Sequence, residues 1–350
     1  MKTGIWGVVG VLLGLWGWGV AGNDHWTWSY KKRWTQAQAQ HMAQEPELVF
    51  AREGVPHFTQ LIFSWNAHRP ERGGLVFFVR ARDGLNKKWY QWHRAAEWGV
   101  DSRGNSVQRS HASSQDQGTR YVYVRLELPE GRHADAFQIK VVPTNGALLS
   151  SMRALSATAS NIVKFLNQAV NKRLIELPAV AIEGVPAYSQ MALNHPDRKR
   201  ICSPTSLSML MGTLTQRPVD PLAVARGVYD PGLDAYGSWP FNTAHAFDRC
   251  GGSVFFRVVR LQDFAALHEY LRAGTPVVVS VRGVLRGGPQ EYKSGHLLLV
   301  TGWNPRKQVV ICHDPAFDAD DKVRHEYDIR DFLRAWERSH RLAYVAERRW

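Results

Sequence analysis

Arg200-Ile201-Cys202-Ser203-Pro204-Thr205-Ser206-Leu207 marks the start of a helix with a cysteine at its entrance. Pro204 suits a first helical position, because its missing N–H would be unbonded there anyway, and Ser203 is of the type that caps helices. Leu207, Leu210, Met211 and Leu214 then recur at helical spacing and form one apolar stripe. The spacing predicts a helix over 204–214. Free backbone N–H groups and the positive end of the helix dipole favour an anion at such an entrance. Only the thiolate form of cysteine attacks carbonyl groups well, so this position suits a nucleophile. The plainer alternative is a buried thiol beside a capped helix, since free cysteine is commonly buried.

Further along, Ser294-Gly295-His296-Leu297-Leu298-Leu299-Val300-Thr301-Gly302-Trp303 places a histidine at the head of an apolar strand. Asn304-Pro305 is a turn signal, and Gln308 to Ile311 reads as the returning strand. Such a hairpin carries Asp314 back towards His296, where a carboxylate can hold the imidazole in one tautomer and orientation. His195, His313 and Asp318 are rivals for these two roles, in loop contexts with no strand to fix them. Around this hairpin the texture is mixed. A helix is expected over 263–272, a strand over 276–281, a helix over 331–337 and a last strand over 342–345. Helix first and strands after gives an α+β domain from about residue 181.

The order Cys, His, Asp on a helix start and two strands resembles the bacteriocin-processing (double-glycine leader) cysteine peptidases, family thirty-nine, of papain-like fold. The resemblance covers residues 181–350. It rests on Val185-Pro186-Ala187-Tyr188-Ser189-Gln190, on Cys202-Ser203-Pro204-Thr205, on Gly295-His296 with the apolar strand and Thr301-Gly302, and on Asp314-Pro315. The segment Tyr236-Gly237-Ser238-Trp239-Pro240-Phe241-Asn242 also looks like a loop of this group. The resemblance implies that Cys202 is the nucleophile, His296 its base and Asp314 the residue orienting that base. It implies that Gln190 lends a side-chain N–H to an oxyanion hole beside the backbone N–H of Cys202, where donors aimed at developing charge lower the barrier. Ser203 departs from the family's usual glycine, which bears on substrate choice through crowding of the groove.

Ahead of this domain, residues 23–150 read as an all-β sandwich. Short runs at 61–65, 75–79, 88–92, 121–126 and 136–141 are separated by Gly, Pro, Asn and Asp. Residues 24–50 read as polar, aromatic and irregular. Residues 151–180 read as a linker, with 162–166 either a short helix or a strand. Of the 14 tryptophans most precede residue 100. Those in Ser64-Trp65-Asn66-Ala67 and Glu97-Trp98-Gly99 either stack on sugars or peptides or fill the core, and tryptophan in apolar runs mostly packs.

Met1-Lys2, the uncharged run Ile5 to Gly22 and Val20-Ala21-Gly22 read as a signal peptide over 1–22. An uncleaved anchor is the alternative for a run of that length. Export to the periplasm or medium is therefore expected, with membrane contact only if the signal stays. The three cysteines, Cys202, Cys250 and Cys312, make no disulfide scaffold. Paired metal-ligand spacings and a phosphate-binding glycine loop are both missing, so no metal or cofactor is expected. The formal charge of +13 suits an anionic partner such as cell-wall polymer. It is spread too thinly to indicate nucleic acid, with Lys31-Lys32-Arg33 and Arg198-Lys199-Arg200 its densest clusters. The expected activity is hydrolysis of peptide bonds in a peptide or protein substrate through an acyl-enzyme. The alternatives are amide hydrolysis or acyl transfer on cell-wall peptides, and a catalytically degenerate binding protein on the same fold.

Overall fold

The structure is a computed structural model that describes residues 25–111 and 113–348. The apolar run at 5–22, with its signal or anchor reading, lies outside the described residues. Among those described, no helix is long and apolar enough to cross a membrane.

The N-terminal half runs β1 (Thr27–Arg33), α1 (Gln36–His41), β2 (Leu48–Arg52), β3 (Gln60–Ala67), β4 (Gly74–Asp83), β5 (His93–Val100), β6 (Ser106–Ser110), β7 (Ser113–Gln115), β8 (Arg120–Val122), β9 (Arg125–Glu127), β10 (Ala134–Thr144) and β11 (Met152–Ser160). Two antiparallel sheets result, ordered β1-β11-β3-β9-β8-β7 and β2-β10-β4-β5-β6. They share one core in which Phe63, Trp65, Phe77, Trp98 and Phe137 are fully buried. Trp65 stacks on Phe77 with ring centres 4.0 Å apart. Core filling, not an open aromatic platform, is thus what Trp65 and Trp98 do.

Several expectations are corrected here. Of the stretch 24–50, the described residues 25–50 are ordered through β1, α1 and the start of β2 instead of irregular chain. The segment 88–92 is no strand: it loops over the sheet, and the rings of Trp89 and Trp92 lie 4.8 and 4.4 Å from the Arg80 guanidinium. The run 121–126 is two strands, because Tyr123 and Val124 both take positive φ and form a two-residue hairpin turn. A β-branched residue in that conformation is uncommon, which is why its sequence reads as unbroken strand. The linker starts later than 151, since β11 pairs with both β1 and β3.

The C-terminal half continues α2 (Lys172–Ile175), β12 (Val180–Ala181), α3 (Cys202–Thr215), α4 (Pro221–Val228), α5 (Trp239–Arg249), β13 (Val254–Arg260), α6 (Phe264–Arg272), β14 (Val277–Gly283), β15 (Tyr292–Asn304), β16 (Val309–His313), β17 (Arg324–Asp328), α7 (Ile329–Glu337) and β18 (Leu342–Arg348). Its seven-stranded sheet is antiparallel, ordered β13-β18-β14-β15-β16-β17 with β12 on β15. The fold is mixed α and β. α3 is buried along almost its whole length and packs with α4 and α5 in a core that includes Leu207, Leu210, Phe247 and Val258. α6 and α7 belong to a second core with Phe264, Leu298, Phe332 and Trp336. The stretch 236–242 is only partly loop, because α5 begins at Trp239.

The two halves are joined closely. β13 is the outer strand of its sheet, and its free edge is bonded by side chains from β3. Asn66 exchanges two hydrogen bonds of 2.8 Å with the Phe256 backbone, and the Ser64 hydroxyl accepts the Val258 N–H at 3.1 Å. Strand alternation explains this: Ser64 and Asn66 face the second half while Trp65 between them enters the first core. Covering an edge in this way removes a pairing liability.

Candidate active site

Cys202 is the first residue of α3 and is partly exposed. The cap position is Ile201, which makes no side-chain cap bond. Ser203 is therefore not the cap. It lies one residue inside the helix, fully buried, and its Oγ donates to Asn242 Oδ1 at 2.9 Å and meets the Tyr344 hydroxyl at 3.0 Å. The hydroxyl that replaces the family glycine is thus taken up inside the fold. Two further hydroxyls fix the helix start. Thr205 Oγ1 donates to the Ile201 carbonyl at 2.7 Å, and Ser206 Oγ donates to the Leu297 carbonyl at 3.0 Å. The second ties α3 to the strand that carries His296.

His296 is not at a strand head. β15 begins four positions earlier, at Tyr292, and Gly295 just before the histidine has φ +93°. That left-handed conformation favours glycine. The exposed, polar Lys293-Ser294-Gly295 hides this part of the strand from a reading of apolar pattern. β16 returns beside β15, with Leu299 opposite His313, and Asp314 follows at its end. His296 Nε2 and Asp314 Oδ1 lie 2.7 Å apart. With Nε2 on the carboxylate, the other ring nitrogen is left for Cys202, and each group favours the charged form of the other.

Asp314 has no exposed surface, yet both its oxygens are satisfied. Oδ1 also accepts the Ala316 N–H at 3.0 Å, and Oδ2 accepts the hydroxyls of Tyr292 at 2.6 Å and Tyr327 at 2.7 Å. A buried carboxylate needs such partners, because an unpaired buried charge is very costly. The Tyr292 ring stacks on His296 with centres 4.1 Å apart and holds its plane. Sequence reasoning missed both tyrosines. Tyr292 stands two alternations before His296, a signal that strand period offers. Tyr327 arrives only through pairing of β17 with β16.

Charge follows geometry. Burial pushes the Cys202 thiol up, but the His296 charge, its ring hydrogen bond and the N–H groups of Leu297 and Ser203 outweigh it and bring the thiol below its ordinary value. Burial pulls His296 down, and Asp314 and Cys202 more than offset it, raising it to about 10. Burial raises Asp314, while His296, Tyr292 and the Ala316 N–H hold it below the usual carboxylate range. Together these favour a thiolate beside an imidazolium.

Gln190 is buried next to this centre. Its backbone N–H donates to the Pro315 carbonyl at 2.8 Å, and Nε2 donates to the Arg198 carbonyl at 2.7 Å. Its Oε1 meets no hydrogen-bond partner among the described residues. The rivals stand apart. His195 accepts from the Asp197 N–H at 3.0 Å and meets Tyr236 edge-on. His313 is buried against Thr301, and burial, with Arg324 nearby, lowers it to about 4. Asp318 pairs with Lys322. Cys250 and Cys312 are free, and burial raises both thiols, Cys250 to about 12.

A helix-borne thiol, a strand-borne imidazole and a buried carboxylate define the arrangement of a thiol hydrolase. Comparison with known proteins agrees in class. Residues 182–344 match the Peptidase_C39 like family, and residues 49–160 match the Peptidase C39 N-terminal domain. Residues 182–344 thus carry a C39-like peptidase domain and residues 49–160 a C39 N-terminal domain, both in one polypeptide. Among solved structures it is similar to xylellain, a cysteine protease from Xylella fastidiosa, at 12% identity and TM-score 0.32, over 54% of this chain and 93% of that one. Among curated proteins none matches.

Proposed function

We propose that this protein is an exported cysteine peptidase in which Cys202, His296 and Asp314 form a catalytic triad. The observation that supports this most is the fully buried Asp314, which holds one nitrogen of His296 at 2.7 Å and leaves the other for the thiol at the α3 entrance. The Cys202 thiolate attacks a peptide carbonyl, and the oxyanion is met by the Cys202 backbone N–H and the remaining side-chain N–H of Gln190. His296 then gives its proton to the leaving amine. The acyl-enzyme is released by a water from which His296 takes a proton. Asp314 keeps the ring oriented and its positive charge stabilised throughout.

The two N-terminal sheets are read as a β-sandwich accessory domain, and the start of the chain as an export signal or anchor. Amide hydrolysis on cell-wall peptides is the second reading, supported by the net charge of +13. Turnover of a fluorogenic peptide library by the wild type, Cys202→Ala and His296→Ala tests the proposal. The expected result is loss in both variants by a factor on the order of a thousand or more. Turnover that persists in Cys202→Ala sinks the triad. Peptide binding without turnover in the wild type points to a binding protein.

A further inference from the structure

Between α4 and α5 the chain passes under the edge of the N-terminal sheets, and the contact is polar. Asp230 in this loop has no exposed surface. Its Oδ1 accepts the backbone N–H of Ser110 at 2.9 Å and that of Gly232 at 2.9 Å, and its Oδ2 accepts the Ser238 hydroxyl at 2.5 Å. Ser110 ends β6, the outer strand of the five-stranded sheet, so its outward N–H has no strand to bond. Gln108 on the same strand donates to the Tyr229 carbonyl at 2.8 Å. A Cβ placed on Gly232 would collide with the Ser110 carbonyl oxygen. Asp230 also adds to the burial that raises the Tyr121 hydroxyl, from β8.

The bonds run on towards the site. Ser238 occupies the cap position of α5, yet its hydroxyl serves Asp230 and not the helix. Its carbonyl and that of Tyr236 accept Asn242 Nδ2 at 3.0 and 2.9 Å. Those two bonds fix the amide, so Asn242 Oδ1 is presented to the Ser203 hydroxyl at 2.9 Å. Asn242 and Ser203 have no exposed surface, and Ser238 is 2% exposed. Ser203 directly follows Cys202 in the first turn of α3, and its backbone N–H, with the Leu297 N–H and His296, favours the ionised form of the thiol.

We propose that the N-terminal sheets brace the nucleophile: strand β6, acting through Asp230, Ser238 and Asn242, positions Ser203 and with it the first turn of the helix that carries Cys202. The inference rests on the reading of Cys202 as the nucleophile. Asp230, Ser238 and Asn242 are positioning residues, since none of them touches the reacting atoms. Apolar packing elsewhere between the halves, such as Phe241 against Trp65, holds them together without direction. A buried hydrogen-bond chain is directional and specifies one arrangement. A donor aimed at a thiolate acts only over a narrow range of distance, so a small shift of Ser203 is felt at the sulfur.

The test follows the rate of Cys202 alkylation by iodoacetamide against pH in the full chain. Peptide mass spectrometry counts Cys250 and Cys312 apart. Gly232→Ala forces β6 and the loop apart, Asp230→Ala removes the hub, and Asp230→Asn keeps an acceptor for the two backbone N–H groups. The expected midpoint rises by roughly half to one pH unit in the first two, and Asp230→Asn restores most of it. Wild-type profiles in folded Gly232→Ala and Asp230→Ala overturn the brace. If either fails to fold, Ser203→Ala decides, because it removes a single hydroxyl at the end of the chain of bonds: a raised midpoint upholds the brace and an unmoved one overturns it. His296→Ala separates this inference from the reading beneath it. Loss of reactivity below neutral pH in His296→Ala, with unmoved loop variants, removes the brace alone. A wild-type profile in His296→Ala removes the thiolate–imidazolium pair itself.

Discussion

The aromatic core of the N-terminal sheets and the surroundings of Cys202 bury polar groups on opposite terms. In the N-terminal sheets the core is aromatic, and the indole nitrogens of Trp65 and Trp98 and the hydroxyl of Tyr121 are buried without a hydrogen-bond partner among the described residues. In the C-terminal half Asp314 is equally buried but takes four hydrogen bonds, from His296, Ala316, Tyr292 and Tyr327. An orphaned neutral donor costs about 1–3 kcal/mol, which the burial of a large ring offsets. An orphaned carboxylate costs far more, so a charge survives in a core only inside a complete network. That aromatic core is therefore organised by volume, and the surroundings of Cys202 by direction.

Asp314→Asn strikes this difference hardest. It removes the charge opposite His296, and we expect loss of turnover with destabilisation of about 3–5 kcal/mol, read by denaturant unfolding. The pH dependence follows in sign. Asp314 is held below its ordinary value, so its contribution is present above the usual carboxylate range and is lost as pH falls through the lowered pKa. Acid unfolding should be less steep in Asp314→Asn. His296, raised to about 10, contributes stability that is complete below about 6.5 and lost as pH climbs towards 10. The lowered Cys202 thiol gains over an overlapping range, so the alkaline loss is clearest in Cys202→Ala, where Asp314 alone raises the histidine.

Phe137→Ala probes the other kind of core. It sits fully buried against Phe50 and Phe58 and should cost about 3–5 kcal/mol through the cavity left behind. The alkylation profile of Cys202 should stay put while the unfolding midpoint drops. A profile that moves with it would show that volume and direction are not separable here.

Smaller effects sharpen the contrast. Tyr327→Phe withdraws one donor from Asp314 Oδ2, with a stability loss of about 1–3 kcal/mol. With one donor fewer the carboxylate protonates at higher pH, so the acid limb of turnover should move up. Ser203→Gly restores the family residue and leaves Asn242 Oδ1 unbonded, at about 1 kcal/mol. An unchanged unfolding midpoint would mean that the hydroxyl is idle.

The legible parts were those set by neighbours in sequence. α3, α6 and α7, and the strands around 277–283 and 342–348, carry apolar periods that their own residues impose. The β15–β16 hairpin was legible for the same reason, since a turn between two apolar runs fixes antiparallel pairing. That pairing put Asp314 within reach of His296. Helices α4 and α5, strand β13 and the hairpin turn at Tyr123-Val124 were not legible. The turn sits in aromatic and β-branched residues that ordinarily favour strand, and only the packing around it selects their positive φ.

By itself, then, the sequence determined which residue types stand at a helix entrance, on a strand and after its return, because each is governed by bonds within a few residues. Tertiary structure alone decided that Ser203 turns inward to Asn242, that two tyrosines complete Asp314, and that an edge strand of the first half meets Asp230. Those contacts join residues from about 40 to more than 100 positions apart or rest on sheet order, and their energy appears only once burial has removed the water that would otherwise satisfy each group.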